Sequence, residues 1–276
     1  MKLLNKIIPL LVALAVTYLL QNSLGTVPPL GKLLSPFHGF WQNAEAKSTL
    51  ETSEEDLRID GLQDQVQVFY DEMGIPHVFA KNDHDLYMAH GYLTAKDRLW
   101  QMEFQTYFAG GRISELVGDK GIESDKFQRR MGSIYGAEQS LKGMEEDPSS
   151  KTALNAYSDG VNAYINSLSD RELPLEYKLL NYRPEAWTAM KSALFLKNMS
   201  FVLASGTDDL KMTNILRKYG KEVAEDLFPN YPYEESPIIP KGTAWDFKPL
   251  DVANPPKDFV GLGSSINAPE KDPSIG

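Results

Sequence analysis

Cysteine is absent from all 276 residues. That excludes a disulfide framework, a thiolate zinc site and a cysteine nucleophile. Positive charge is scarce: 28 basic against 38 acidic residues leave a net charge of −10, and the largest basic run is Arg129-Arg130. Without a Lys/Arg stripe, nucleic acid is not an expected partner. Histidine is limited to His38, His77, His84 and His90, with no pair at i,i+4, so no helical zinc pair is visible. A Gly-x-Ser-x-Gly elbow and a phosphate-binding loop are also missing. Extended apolar runs are few. Ile7 to Leu20 gives fourteen mostly apolar residues, roughly 21 Å as a helix against a hydrocarbon core of about 30 Å.

What is present points to a folded, exported chain. Apolar residues make up 42 % of the sequence, enough for a core at this length. Lys2 and Lys6 precede the apolar run, and Ser23-Leu24-Gly25 offers small residues after it. Residues 1–25 are therefore expected to be a signal peptide or an uncleaved membrane anchor, through residues 7–20, facing the periplasm. Residues 26–61, with Pro28-Pro29, Pro36 and an acidic run, read as a linker. A folded domain is expected over 62–228, and a proline-rich spacer over 229–276 that includes Gly261-Leu262-Gly263-Ser264-Ser265.

Val66, Val68 and Tyr70 alternate as in a strand, and Ile75–Ala80 reads as its return. Asn82 is an expected N-cap for a long helix running to about Phe108 and closed by Gly110-Gly111. Two apolar stripes mark this helix as buried between layers. Asp97 falls within the first stripe, so it is expected to be buried beside Arg98 or Arg112, or else to be catalytic. Further helices are expected over Arg112–Val117, around Leu154–Leu168, over Trp187–Leu203 and over Leu210–Tyr219. Asp208-Asp209 reads either as a helix cap or as part of a calcium site.

Several blocks together are similar to a known family. They are Gly74-Ile75-Pro76-His77-Val78, then Gly91-Tyr92 with Ala95-Lys96-Asp97-Arg98-Leu99-Trp100-Gln101-Met102-Glu103, and Gly111-Arg112-Ile113-Ser114-Glu115-Leu116-Val117-Gly118. Ala156-Tyr157-Ser158-Asp159-Gly160, Leu173-Pro174-Leu175-Glu176-Tyr177 and Tyr182-Arg183-Pro184-Glu185-Ala186-Trp187 follow in order. Over about residues 62–276 they resemble the N-terminal α part of the penicillin acylase (penicillin amidase) family, although Lys96 stands where the family more often has Gln.

The resemblance implies an α+β fold, the helix-rich α portion of a four-layer αββα N-terminal-nucleophile hydrolase. It implies autocatalytic cutting of a precursor into an α part and a β part that stay together as a heterodimer. The nucleophile would be the N-terminal Ser of the β part, with its own α-amine as base. By this reading the nucleophile lies outside these residues, and Gly276 precedes the scissile bond. Met199, Val202 and Leu203 would line an acyl pocket. Asp209, eleven residues before Gly220, would help bind structural calcium. The substrate would be a small-molecule linear amide, a penicillin or another N-acyl compound. The alternatives are an acyl-homoserine lactone acylase and a non-catalytic truncated product.

Overall fold

A computed structural model describes residues 4–23, 27, 29–44, 55–204, 208–228, 242 and 262–267. Gly276, Ser205–Thr207 and most of 229–276 lie outside the described residues. The chain divides into two compact units, 1–199 with 258–276 and 200–257.

The first unit opens with α1 (Leu4–Gln21), whose described side chains are all exposed. No helix among the described residues is long and apolar enough to cross a membrane. The expected linker contains two short helices, α2 (Leu30–Leu33) and α3 (Trp41–Ala44), and its middle is fastened to the body. The Lys178 ammonium donates to the Gly39 carbonyl (3.1 Å) and to Asn43 Oδ1 (2.8 Å), and Asn43 Nδ2 donates to the Leu173 carbonyl (2.9 Å). These contacts join residues more than a hundred positions apart, which local composition does not reveal.

A mixed sheet follows: β1 (Glu55–Arg58), β2 (Val66–Tyr70), β3 (Pro76–Phe79) and β4 (Leu262–Asn267), in the order β1-β4-β2-β3. The β2–β3 turn is built by Asp71, whose Oδ1 accepts from the Met73 and Ile75 amides at 2.9 Å each, while Gly74 takes φ +75°. β4 places Leu262–Ser265, read from the sequence as spacer, in the sheet, while Gly261 lies outside the described residues. It pairs parallel with β1 and antiparallel with β2, placing Ser264 between Glu55 and Val68. Gly and Ser carry little strand propensity, so only two flanking strands hold this segment extended.

Helix α4 (Asp83–Ala109) covers one face of the sheet. Asn82 caps it, its side chain accepting from the Asp85 amide at 2.8 Å. Val66 and Val68, fully buried, meet Met88, Ala89, Tyr92 and Leu93. On the other face, Phe69 and Phe79 pack edge to face, partly exposed. The chain continues as α5 (Ser114–Val117), α6 (Ile122–Met131), α7 (Ser133–Glu146) and α8 (Pro148–Ser167). The last starts on an Asp147 cap with proline at its first position, where a missing N–H does no harm. Then come α9 (Leu175–Leu180) and α10 (Ala189–Ala204), which crosses the division between units. The second unit holds α11 (Asp208–Tyr219) and α12 (Lys221–Leu227), packed on each other.

α4 and α8 cross where both carry glycine. A Cβ on Gly160 would sit 1.9 Å from the Met88 carbonyl oxygen, and one on Gly91 would sit 2.1 Å from that of Tyr157. Both obstacles are backbone, so the helices would have to separate. Gly160→Ala is expected to cost about 3 kcal/mol, read as a lowered urea midpoint.

Asp97 is exposed. The buried face of α4 is centred on the stripe of Met88, Tyr92, Ala95, Leu99 and Met102, with Glu103 at its edge, and position 97 falls on the far side. Arg112 is engaged elsewhere, and the buried carboxylates of α4 are Asp85 and Glu103.

Candidate functional site

Glu103 is the central polar group of the first unit. It is 1 % exposed, on the same face as Leu99 and Met102. A carboxylate there must be satisfied internally. Its Oε2 accepts from the Tyr177 hydroxyl at 2.7 Å. Its Oε1 accepts from the Glu185 amide at 2.7 Å and faces the Lys191 ammonium at 3.4 Å. Lys191 also lies 3.2 Å from Glu185 Oε2. Arg112 grips Glu185 in bidentate fashion (2.7 and 3.1 Å), grips Glu115 likewise, and lies over the Tyr107 ring at 4.5 Å. Trp100, Tyr177 and Tyr182 close the cluster with edge-on and tilted ring contacts.

Burial pushes the Glu103 carboxyl above its ordinary range, against the opposing pull of the Tyr177 hydroxyl and Lys191. Burial, with Glu103 beside it, pushes the Tyr177 phenol up as well. Hydrogen bonds from Arg112 hold the Glu185 carboxyl at about 2. Both Glu103 oxygens are occupied by protein donors, so this carboxylate fastens structure and does not transfer protons to a substrate. α4 is thereby tied to α9 and to the segment leading into α10.

The depressed Glu185 carboxyl sets an acid limit. Its contribution is full above the ordinary value of 4.5 and is lost as pH falls toward about 2. The side chain is 38 % exposed, so after solvent screening about 1 kcal/mol is expected. Glu185→Gln should flatten that part of the melting-temperature profile between pH 4.5 and 2.

The cluster includes none of the sequence-predicted residues. Met199, Val202 and Leu203 are on α10 with exposures of 44, 63 and 78 %. Met199 belongs to the first unit and the other two to the second. Asp209 is exposed in the first turn of α11. Among the described residues no three or more Asp, Glu or His side chains gather to hold a metal, and one carboxylate supplies at most two of the six to eight oxygens calcium takes. A cavity of about 900 Å³ opens between the end of α1 and α9, lined by Leu20, Lys32, His38, Leu173 and Tyr182 among others.

Sequence reasoning missed Glu103, although it stands inside a quoted block. The available signal was its place on the arc between the two apolar stripes. It also passed over Gly263-Ser264, a glycine followed by a hydroxyl residue, which β4 places inside the sheet.

The family model described as Penicillin amidase matches residues 65–268. This chain belongs to the penicillin amidase family. The match begins just before β2 and runs through β4, so β4 is part of the family domain. The chain is 32 % identical over 181 residues to the acyl-homoserine lactone acylase QuiP of Pseudomonas aeruginosa, covering 65 % of this chain and 21 % of that protein. It is 36 % identical over 149 residues to the penicillin acylase 2 proenzyme of a Pseudomonas species, covering 54 % and 19 %. It thus spans about a fifth of the length of the curated relatives it matches. Among solved structures, a thermostable penicillin G acylase from Alcaligenes faecalis superposes with a TM-score of 0.50 at 23 % identity, covering 66 % of this chain and 98 % of that one. That likeness is one of fold. The described part of this penicillin amidase family chain is helix-rich, with a helical layer on a small sheet, in keeping with an α-rich portion of that fold.

Proposed function

We propose that this chain is the α part, with the start of the β part, of an exported amidohydrolase that cuts linear amides through a freed N-terminal serine. The observation that carries the reading is β4, an interior strand holding Gly263-Ser264. Cleavage of that bond leaves Ser264 as a new N-terminus on a fixed strand, and glycine before the bond tolerates the backbone distortion an N→O acyl shift requires. The freed α-amine, with an ordinary pKa of about 7.7–8.0, takes the Ser264 hydroxyl proton. The oxygen attacks the amide carbonyl, the amine leaves with that proton, and water releases the acid from the acyl-serine. The bond after Gly276 is the competing cleavage point, with its nucleophile outside these residues. The interior position of β4 favours Ser264.

The amine half would be a small polar group and the acyl half apolar, since Met199, Val202 and Leu203 are aliphatic. The names of the relatives, penicillin acylases and acyl-homoserine lactone acylases, fall within that description. A periplasmic heterodimer with the remainder of the β part follows from the same reading, as does calcium held by Asp209 with ligands from the rest of the polypeptide.

Intact-mass measurement of the protein expressed with its downstream sequence is the test. A fragment ending at Gly263 is expected, together with amide hydrolysis. A fragment ending at Gly276 moves the nucleophile beyond this chain, and an uncut, inactive product makes it a non-catalytic relative. The ratio of kcat/KM for long-chain acyl-homoserine lactones to phenylacetyl amides then separates the two substrate classes.

A further inference from the structure

We infer that Glu103 and Lys191 are positioning residues for acyl recognition: their buried pair sets where α10 begins, and through α10 the place of Met199. The inference rests on the acylase reading above and deepens it.

Several contacts hold the first-unit part of α10 to the body, three of them spaced along it. Lys191, in its first turn, faces Glu103 and Glu185 while only 13 % exposed. Ala193 and Leu194 pack with Ala109 and Ala137. Asn198 Nδ2 donates to Gln105 Oε1. Positions 191, 194 and 198 lie on one helical face, and Met199 is turned about 80° from Lys191 at 100° per residue. The middle contact is made largely by alanines and slides easily, and Asn198 Oδ1 is buried with no hydrogen-bond partner among the described residues. The Glu103–Lys191 pair is therefore the charged, directional fastening of the first turn, beside the Trp187 indole N–H donated to Ser192 Oγ at 2.9 Å. Lys191 is largely shielded from water and lies between two carboxylates. With Glu103 neutral, the ammonium moves toward Glu185 alone and carries the start of α10 with it.

Groups facing Glu103 come from every neighbouring element: Tyr177 of α9, Glu185 and Tyr182 of the connecting segment, Lys191 of α10, Tyr107 of α4 itself, and Arg112 through Glu185. Of the two carboxylates flanking Lys191, Glu103 is protonated first as pH falls, because burial raises its pKa while Arg112 depresses that of Glu185.

The test uses the full precursor product and compares the parent with Glu103→Gln, Lys191→Met and Lys191→Arg. The first substitution keeps the volume, and the Tyr177 hydroxyl can turn to accept from the new amide. The expected result for Glu103→Gln and Lys191→Met is KM for acyl amides raised about 3- to 10-fold, with kcat within about twofold of the parent. Lys191→Arg should restore KM. The parent KM should rise as pH falls and Glu103 takes up its proton, and Glu103→Gln should abolish that dependence. Lowered melting temperatures with unchanged KM and pH profile in the folded variants would make the pair purely structural and overturn the inference alone. A parent that hydrolyses no amide overturns the acylase reading and this inference together.

Discussion

Glu103→Ala is expected to destabilise the first unit by about 3–5 kcal/mol, a large part of the stability of a domain this size. Three losses combine. The Tyr177 hydroxyl, on a residue 1 % exposed, loses its acceptor. The Glu185 amide loses its own. Each buried group left unsatisfied costs about 1–3 kcal/mol. The removed side chain leaves a void lined by Tyr177 and its ring partners, with a further cavity penalty. Lys191 keeps Glu185 at 3.2 Å, so its charge is not stranded, which holds the total below the sum of the separate terms. Chemical denaturation of parent and variant measures the difference. A change below about 1 kcal/mol would show that neighbouring side chains or water replace the carboxylate.

Ser264→Ala is expected to leave the polypeptide uncut and to lower amide hydrolysis by at least about a thousandfold. Alanine is compatible with a strand, so pairing with β1 and β2 should persist and the melting temperature should change little. That separates the loss of an attacking oxygen from the loss of a fold. Ser265→Ala is the control, because the neighbouring hydroxyl would be one residue inside the new terminus. Normal cutting and turnover in Ser264→Ala would refute the assignment, and a mass placing the cut after Gly276 would say where the nucleophile lies instead.

How much was legible in the sequence follows from the range of the interactions. Strand alternation at Val66, Val68 and Tyr70, the Asn82 cap and the Gly110 closure of α4 are local properties, and they are present as read. The family resemblance is likewise carried by short blocks in order, and the match over 65–268 agrees with it. Asp97 shows where local reasoning fails. Two stripes on a helix leave open which is buried more deeply, and that is set by the sheet and by α8, elements encoded elsewhere. The same holds for Gly91 and Gly160, which look like weak helix residues until the crossing brings backbones together.

By itself, then, the sequence determined the cysteine-free chemistry, the acidic net charge, the limits of α4 and the family, because these depend on composition or on neighbours along the chain. Only the tertiary structure decided that Glu103 is a satisfied buried carboxylate, that residues 29–44 are partly fastened to the body, and that 262–267 form an interior strand. The physical reason is shared by all three: each depends on donors and acceptors supplied from tens to hundreds of residues away, and no local pattern records which distant partner will arrive.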